Sequence, residues 1–400
     1  MSKHLLSIII PTKNRQKYCI EAINQIISTL NSGVEIIIQD NSDTAELKTV
    51  VTTLNYDRLV YNYHPGELSF IDNFNEALTF ASGEYLCMIG DDDGVLPDII
   101  KITEFAKINN YDAIIPGLNS VYCWPNKNAF VKNGEKGYLC LSYIKNKGKE
   151  IQTEKELVKL IKNGGQNYQS YGVPRLYHGI VCRKILNKIY NITGKYFDGL
   201  TPDIYMAVAL SFVCKKVCGV NYPVTISGIC PKSGSSDSAT GKHTGDLKNA
   251  PHFKGHTSYI WDPKAPAIYS VESIWAETVM KALHAFHRED LYSRFGVNVL
   301  DGICFAKYPQ FKNEIKKHAK KNGVSIFNLY YQKIKFLIIP FVKRALKRIF
   351  RKKGEVQKYY DVSDITQAAE ITIAELRIIG SFFNTVFIPF FGRSVMPGLQ

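Results

Sequence analysis

The apolar positions of the first hundred residues fall into four short runs, at 5–11, 34–40, 59–63 and 85–89. The runs at 5–11 and 85–89 hold no charges and stop at a proline and a glycine, which predicts buried strands; 34–40, ending in a carboxylate, and 59–63 read as the second and third strands. Between them the period changes to that of a helix. Ile20, Ile23, Ile26, Ile27 and Leu30 share one face of 17–30. Residues 47–54 form a second helix after the turn Asn41-Ser42-Asp43. Phe70, Phe74, Ala77, Leu78 and Ala81 line a third over 69–81. Strands alternating with helices predict a mostly parallel α/β sheet with right-handed crossovers.

The fourth run ends in Gly90-Asp91-Asp92-Asp93-Gly94, with Pro97 closing the turn. Open α/β sheets bind ligands at the carboxyl ends of their strands, which is where this triplet falls. Adjacent carboxylates repel one another, and a divalent cation with a preference for oxygen removes that repulsion. A solvated acidic turn is the alternative. There is no GxGxxG and no Walker sequence, so a dehydrogenase or P-loop enzyme would lack its phosphate cradle.

Composition adds little until charge is placed along the chain. The net charge is +14, and residues 301–360 hold sixteen Lys or Arg against three acids, an excess of thirteen. The first three hundred residues are therefore near neutral, and the chain carries a local basic patch. The nine cysteines show no CxxC pair and no zinc-like spacing, which predicts reduced core thiols in a cytosolic compartment. With the first strand beginning at Leu5, no signal peptide is expected ahead of the fold.

Ser7-Ile-Ile-Ile-Pro-Thr-Lys-Asn-Arg15, Ile36-Ile-Ile-Gln-Asp-Asn-Ser42, Asn75 with Ala81-Ser-Gly-Glu-Tyr85, and Gly90-Asp-Asp-Asp93 with Pro97 occur in order. Together they resemble the nucleotide-sugar half of a family 2 glycosyltransferase with the GT-A fold, a Rossmann-like sheet flanked by helices. The resemblance implies that Pro11, Thr12 and Asn14 line the nucleotide pocket and that Asp40 accepts a hydrogen bond from the base, usually uracil. It implies that Asp92 holds Mn²⁺ or Mg²⁺ across the two phosphates, with Asp91 and Asp93 beside it, and that Asn75 lies near the donor. The commonest family pattern has Asp where Gly90 stands, and an arginine often precedes the Asn75 position where this chain has Phe74.

Glycosyl transfer also needs a separate general base for the acceptor hydroxyl. Thr201-Pro202-Asp203 opens a helix, and the family places its base at such an acidic helix start. Asp203 is the assignment and Asp198 the second choice; capping of the helix dipole is the other role open to Asp203. The stretch 175–183 reads as an edge-like strand along the acceptor cleft, in which His178 is either a ligand contact or a structural hydrogen bond. A polar stretch at 231–256 is either a lid over the donor diphosphate or a linker. Lys242 could supply charge to the phosphates there, and His243 could complete the metal shell.

From 257 onward the pattern is helical: 271–286, a lysine-rich helix at 301–322, then 329–353, where large apolar residues mix with nine cations. Basic amphipathic helices lie on anionic membrane surfaces. The run 371–391 is long enough to cross a bilayer but carries Glu375, Arg377 and Pro389, so interfacial docking is expected over spanning. A basic face whose apolar side packs on the core is the alternative. Aliphatic rather than polar spacing of these cations argues against nucleic acid as a partner.

The sequence thus predicts a GT-A domain over 1–230, with donor and acceptor halves at 1–120 and 121–230, the polar loop 231–256, and a helical extension over 257–400 that docks through 323–391. By the resemblance it is a metal-dependent, inverting transferase moving a sugar from a UDP-linked donor to a glycan or lipid-linked glycan, in capsule or other bacterial surface polysaccharide synthesis. It would work as a peripheral protein on the cytoplasmic face of the membrane. A catalytically inactive scaffold and a nucleotidyltransferase are the competing readings.

Overall fold

The computed structural model describes residues 4–30, 33–126, 134–142, 144, 148–231, 244, 245, 247, 253, 259–349 and 356–379. The chain opens with β1 (Leu6–Thr12), α1 (Gln16–Leu30), β2 (Val34–Asp40), α2 (Glu46–Val51), β3 (Leu59–Tyr63) and α3 (Phe70–Thr79). Next come β4 (Tyr85–Met88), β5 (Gly94–Val95), α4 (Asp98–Ile108), β6 (Ala113–Pro116), β7 (Ser120–Cys123), β8 (Tyr138–Ser142) and β9 (Gly148–Glu150). The middle of the chain holds α5 (Thr153–Lys162), β10 (Ile180–Cys182), α6 (Arg183–Thr193), α7 (Pro202–Val213), β11 (Val217–Val220), β12 (Thr225–Ile229), β13 (Thr244–Gly245) and β14 (Tyr269–Ser270). It ends with α8 (Val271–Ala285), α9 (Glu289–Tyr292), α10 (Val297–Lys307), α11 (Lys312–Lys321), α12 (Ile326–Ile349), β15 (Val356–Tyr360) and α13 (Ile365–Ile379).

Every residue of β1 and β2 is buried, as the isoleucines at their centres favour; Glu35 of β2 is buried with its carboxylate accepting the Ser7 and Ser82 hydroxyls. β1 lies parallel between β2 and β4, and α1 covers it with Cys19, Ala22, Ile23, Ile26 and Leu30. The Ser69 hydroxyl caps α3 by accepting the Asp72 N–H at 3.1 Å. The main sheet has the order β3-β2-β1-β4-β10-β6-β11-β9. β10 runs antiparallel to both its neighbours. That corrects the edge-strand expectation for 175–183: residues 180–182 are buried in the middle of the sheet.

A second sheet, β15-β8-β7-β12-β5, stands beside the first. β4 belongs to one sheet and β5 to the other, so the acidic triplet forms the turn by which the chain passes between them. Pro309 splits the expected helix 301–322 into α10 and α11, since proline has no N–H to continue the ladder. Part of the polar loop is pinned, because β13 pairs with β14.

The larger correction concerns the C-terminal segment. β15 extends the second sheet by pairing along β8. α13 then buries Ile365, Ala368, Ala369, Thr372 and Leu376, with Thr372 Oγ1 3.1 Å from Ser120 Oγ and the Tyr122 hydroxyl donating to the Val362 carbonyl at 3.0 Å. Residues 356–379 are therefore tied into the fold, β15 as a mostly exposed strand at the sheet edge and α13 by one buried face, rather than standing free as part of a docking segment 323–391; residues 380–391 lie outside the described residues. α12 differs. Its first turns pack on α10, where a Cβ on Gly302 would lie 2.3 Å from Gln332 Cβ, and Leu329 is buried. Phe327, Tyr331 and Phe341 are 84%, 61% and 69% exposed, with Ile334, Leu337 and Ile338 about half exposed. Among the described residues no helix is long and apolar enough to cross a membrane.

Candidate active site

The triplet turn is held from every side. Arg15, on the loop after β1, meets Asp91 as a fork: Nη2 to Oδ1 at 2.7 Å and Nε to Oδ2 at 3.0 Å. The Thr12 hydroxyl donates to the same Oδ2 at 2.6 Å. Burial pushes the Asp91 carboxyl up to about 7, while Arg15 and Thr12 pull it down. Burial alone would weaken the hold of Arg15 on its proton, but Asp91 and Asp92 more than reverse that. The paired short contacts argue that both are carried as ions.

Asp93 serves the turn itself. Its Oδ1 accepts the Gly228 N–H at 2.6 Å, and Oδ2 accepts the Gly90 N–H at 2.6 Å and the Tyr177 hydroxyl at 3.0 Å. Gly228 is required here, since a Cβ would stand 1.8 Å from the Asp92 carbonyl oxygen. The departure at Gly90 also has a cause: a Cβ there would lie 2.5 Å from the Tyr177 hydroxyl, which occupies the space an aspartate would need.

His178 has φ 57° and is buried. Burial, with help from Arg175, pushes its pKa down to about 3, so the ring is neutral. Its Nε2, 3.3 Å from Asp93 Oδ2, is then a hydrogen-bond donor rather than half of an ion pair, and Nδ1 accepts from Thr225 at 2.9 Å. This is the structural role, not a ligand contact.

Asp92 Oδ2 accepts the Cys230 N–H at 3.0 Å, and the Trp124 indole donates to its carbonyl at 2.9 Å. Among the described residues, Asp92 Oδ1 has only Arg15 Nη1, at 3.7 Å. Among the described residues no cluster of three His, Cys, Asp or Glu is placed to hold a metal. The donor set nevertheless fits a hard cation that takes one protein oxygen, Asp92 Oδ1, and completes its shell with phosphates and water. Asp93, expected as a ligand, has both oxygens committed within the fold. Lys242 and His243 lie outside the described residues.

The nucleotide-side residues knit the loops after β1 and β2 together. Pro11 is buried in register with Gln39. Asn14, at φ 56°, exchanges hydrogen bonds with Asp43 at 3.0 Å and gives its N–H to the Ser42 hydroxyl at 2.8 Å. Asp40 is fully buried, and its carboxylate already accepts the Ser42 N–H and the Tyr61 hydroxyl, both at 2.9 Å. Asn75, expected near the donor, is engaged within the fold. Its amide gives to the Ile71 and Phe197 carbonyls and accepts the Tyr196 and Phe197 N–H groups, so it clasps the loop before α7.

That loop carries both base candidates. Asp198 accepts the Gly199 N–H at 2.8 Å and lies 3.5 Å from Lys195 Nζ. Asp203, in the first turn of α7, is part-exposed and accepts the Tyr168 hydroxyl at 2.9 Å. Burial raises its pKa, against the hydrogen bond from Tyr168. Arg175, two residues before the Tyr177 that holds Asp93, acts electrostatically on both His178 and Tyr168. Arg15 closes the first motif without an assigned role there, and nothing in the local sequence around Tyr168, Tyr177 or Gly228 signals theirs.

Residues 7–160 match the model of Glycosyl transferase family 2, so the N-terminal part of the chain is a domain of that family. Over 100 residues the chain is 35% identical to WcaA of Escherichia coli (strain K12), whose name assigns it provisionally to glycosyl transfer in colanic acid biosynthesis; the match covers 24% of this chain and 36% of that protein. Over 97 residues it is 37% identical to the GalNAc(5)-diNAcBac-PP-undecaprenol beta-1,3-glucosyltransferase of Campylobacter jejuni, covering 23% and 30%. The chain thus spans about a third of the length of these curated relatives. Staphylococcus aureus TarS 1–349 in complex with UDP-GlcNAc aligns with 13% identity and a TM-score of 0.45, over 80% of this chain and 93% of that one; nothing further rests on it.

Proposed function

We propose that the chain transfers one sugar from a nucleotide sugar, UDP-linked in our reading, to a glycan or lipid-linked glycan in bacterial surface polysaccharide synthesis. The observation that carries this is the braced acidic turn after β4, inside the segment that matches family 2, with Asp92 Oδ1 lacking a close donor among the described residues. The acceptor oxygen attacks the anomeric carbon as the bond to the diphosphate oxygen breaks, and the diphosphate departs with the bonding pair. The acceptor hydroxyl proton passes to the Asp203 carboxylate. Attack opposite the leaving group inverts the anomeric centre. Bound at Asp92, Mn²⁺ or Mg²⁺ would offset the charge growing on the leaving diphosphate. Arg15 holds Asp91 in a close fork and stands farther from Asp92, 3.7 Å from its Oδ1.

The name of the Campylobacter relative specifies an acceptor on a polyprenyl diphosphate, and α12 supplies a surface suited to such a substrate. Its exposed Phe327, Tyr331, Leu337 and Phe341 would enter the lipid interface, and Lys333 and Lys335 would meet anionic headgroups on the cytoplasmic face. The test is UDP release from UDP-glucose, UDP-galactose and UDP-GlcNAc with and without Mn²⁺. Metal-dependent release that Asp92→Ala abolishes supports the reading; release indifferent to metal and to Asp92 refutes the metal role, and none from any donor refutes the UDP-sugar assignment.

A further inference from the structure

Tyr168 lies in a 3-10 turn (Tyr168–Ser170) that follows Asn167 in the left-handed region at φ 55°. Its side chain is 2% exposed, and its ring stands edge-on to Trp275 of α8, with centroids 5.5 Å apart at 81°. The Gln169 amide donates to the phenol oxygen at 3.4 Å, so the phenol proton is free to go to Asp203 Oδ2, 2.9 Å away. Burial, then Asp203, pushes the phenol well above its ordinary pKa, so it remains a donor at any working pH. Asp203 is therefore gripped at one oxygen by a group that cannot ionise, while its residue keeps part of its surface open.

We propose that Tyr168 is the positioning residue of the general base: its hydroxyl fixes the Asp203 carboxylate in the orientation from which the other oxygen takes the acceptor proton. This rests on the assignment of Asp203 as that base. A purely structural tyrosine would fill the space between α7 and α8 with its ring and need no acidic partner. The hydroxyl instead spends its one proton on the carboxylate that opens α7.

Apart from burial and the backbone N–H groups of Asp203 itself and Ile204, Tyr168 is the side chain recorded as acting on Asp203 among the described residues. Arg175 acts on the phenol; its Nη2 donates to the Pro116 carbonyl at 2.8 Å. On α8, Glu272 is engaged by Lys307 and Tyr308, and Glu277 accepts the Asp262 N–H. On α5, Glu156 is paired with Lys159. On α6, Arg183 donates to the Gly83 carbonyl. Lys195 is paired with Asp198. Among the described residues none of these forms an ion pair with Asp203.

A donor to the ionised form lowers a carboxyl pKa, so removing it raises that pKa. Tyr168→Phe keeps the ring on Trp275, and the thermal midpoint of the variant checks that packing. The full chain, Tyr168→Phe, Asp203→Asn and the double variant are compared on whichever UDP-sugar releases UDP with Mn²⁺. The expected results are an acid limb of kcat moved to higher pH, kcat lowered about tenfold with the donor KM unchanged, and no further loss from Tyr168→Phe once Asp203 is Asn. A lowered rate with an unmoved acid limb, or additive losses in the double variant, overturns the proposal.

An activity-independent arm titrates the Asp203 carboxyl carbon by NMR, assigned by its disappearance in Asp203→Asn. A midpoint raised in Tyr168→Phe supports the pairing, and an unmoved one overturns it. If Asp203→Asn alone remains fully active, the base assignment fails separately, whatever Tyr168→Phe does to the midpoint.

Discussion

Arg15 and Asp91 meet in a two-bond fork, 2.7 and 3.0 Å, at the centre of an acidic turn from which Asp91 has no exposure. One loop, the segment after β1, thereby supplies the cation that allows three neighbouring carboxylates to be built beside a core strand.

Removing the cation exposes that dependence. Arg15→Ala leaves a buried carboxylate without its partner, a loss of about 3–5 kcal/mol for broken buried pairs. Urea unfolding is expected to report destabilisation of that order, and Asp91→Asn added to it should recover most of the loss. A change below about 1 kcal/mol in Arg15→Ala would show that the pair does not hold the turn.

Gly228 is the second brace. A Cβ 1.8 Å from the Asp92 carbonyl oxygen sets backbone against backbone, so the contact cannot be relieved by a rotamer change. Gly228→Ala is expected to displace the triplet and to lower both the thermal midpoint and metal-dependent UDP release. Wild-type values of both would contradict the close packing of β12 on the turn.

The nucleotide half was legible because its signals are local. β1 holds no charge and β2 centres on Ile36, Ile37 and Ile38, and strands buried on both faces leave that record. The triplet's supports were not legible, because Tyr177 and Gly228 reach it from distant strands and carry no motif of their own. The departure at Gly90, a gap in the family pattern when read locally, is explained by Tyr177 filling the space. The three-residue β10 is too short to declare its place in mid-sheet. α13 misled for a different reason: an apolar stripe of Ile365, Ala368, Ala369 and Leu376 has the same period whether it faces lipid or a protein core.

Glu277 makes the fold sensitive to pH. It is fully buried, and burial, opposed by the Asp262 N–H, pushes its carboxyl up to about 7. Between the ordinary carboxyl value and about 7, the folded chain holds a proton that the unfolded chain releases, so stability falls as pH rises through that window. Glu277→Gln is expected to flatten the fall in thermal midpoint between pH 5 and pH 8. An equal fall in variant and parent would remove Glu277 as its source.

The outer half of α12 predicts a membrane phenotype separable from the fold. Phe327→Ser with Phe341→Ser is expected to weaken sedimentation with phosphatidylglycerol vesicles at least several-fold, leaving UDP release and thermal midpoint unchanged. High salt should release part of the bound parent protein, because screened headgroup attraction falls off within a Debye length. Unchanged binding in the double variant, or equal binding to neutral phosphatidylcholine vesicles, would contradict docking by this helix.

The most direct measurement is transfer itself, using a radiolabelled UDP-sugar, Mn²⁺ and a polyprenyl-diphosphate glycan extracted from bacterial membranes, with Asp203→Asn in parallel. Label should pass to the lipid fraction with an inverted anomeric linkage, and Asp203→Asn should slow this by about 10²- to 10⁴-fold while donor binding survives. No transfer from any UDP-sugar, or retention of the anomeric configuration, would contradict the account.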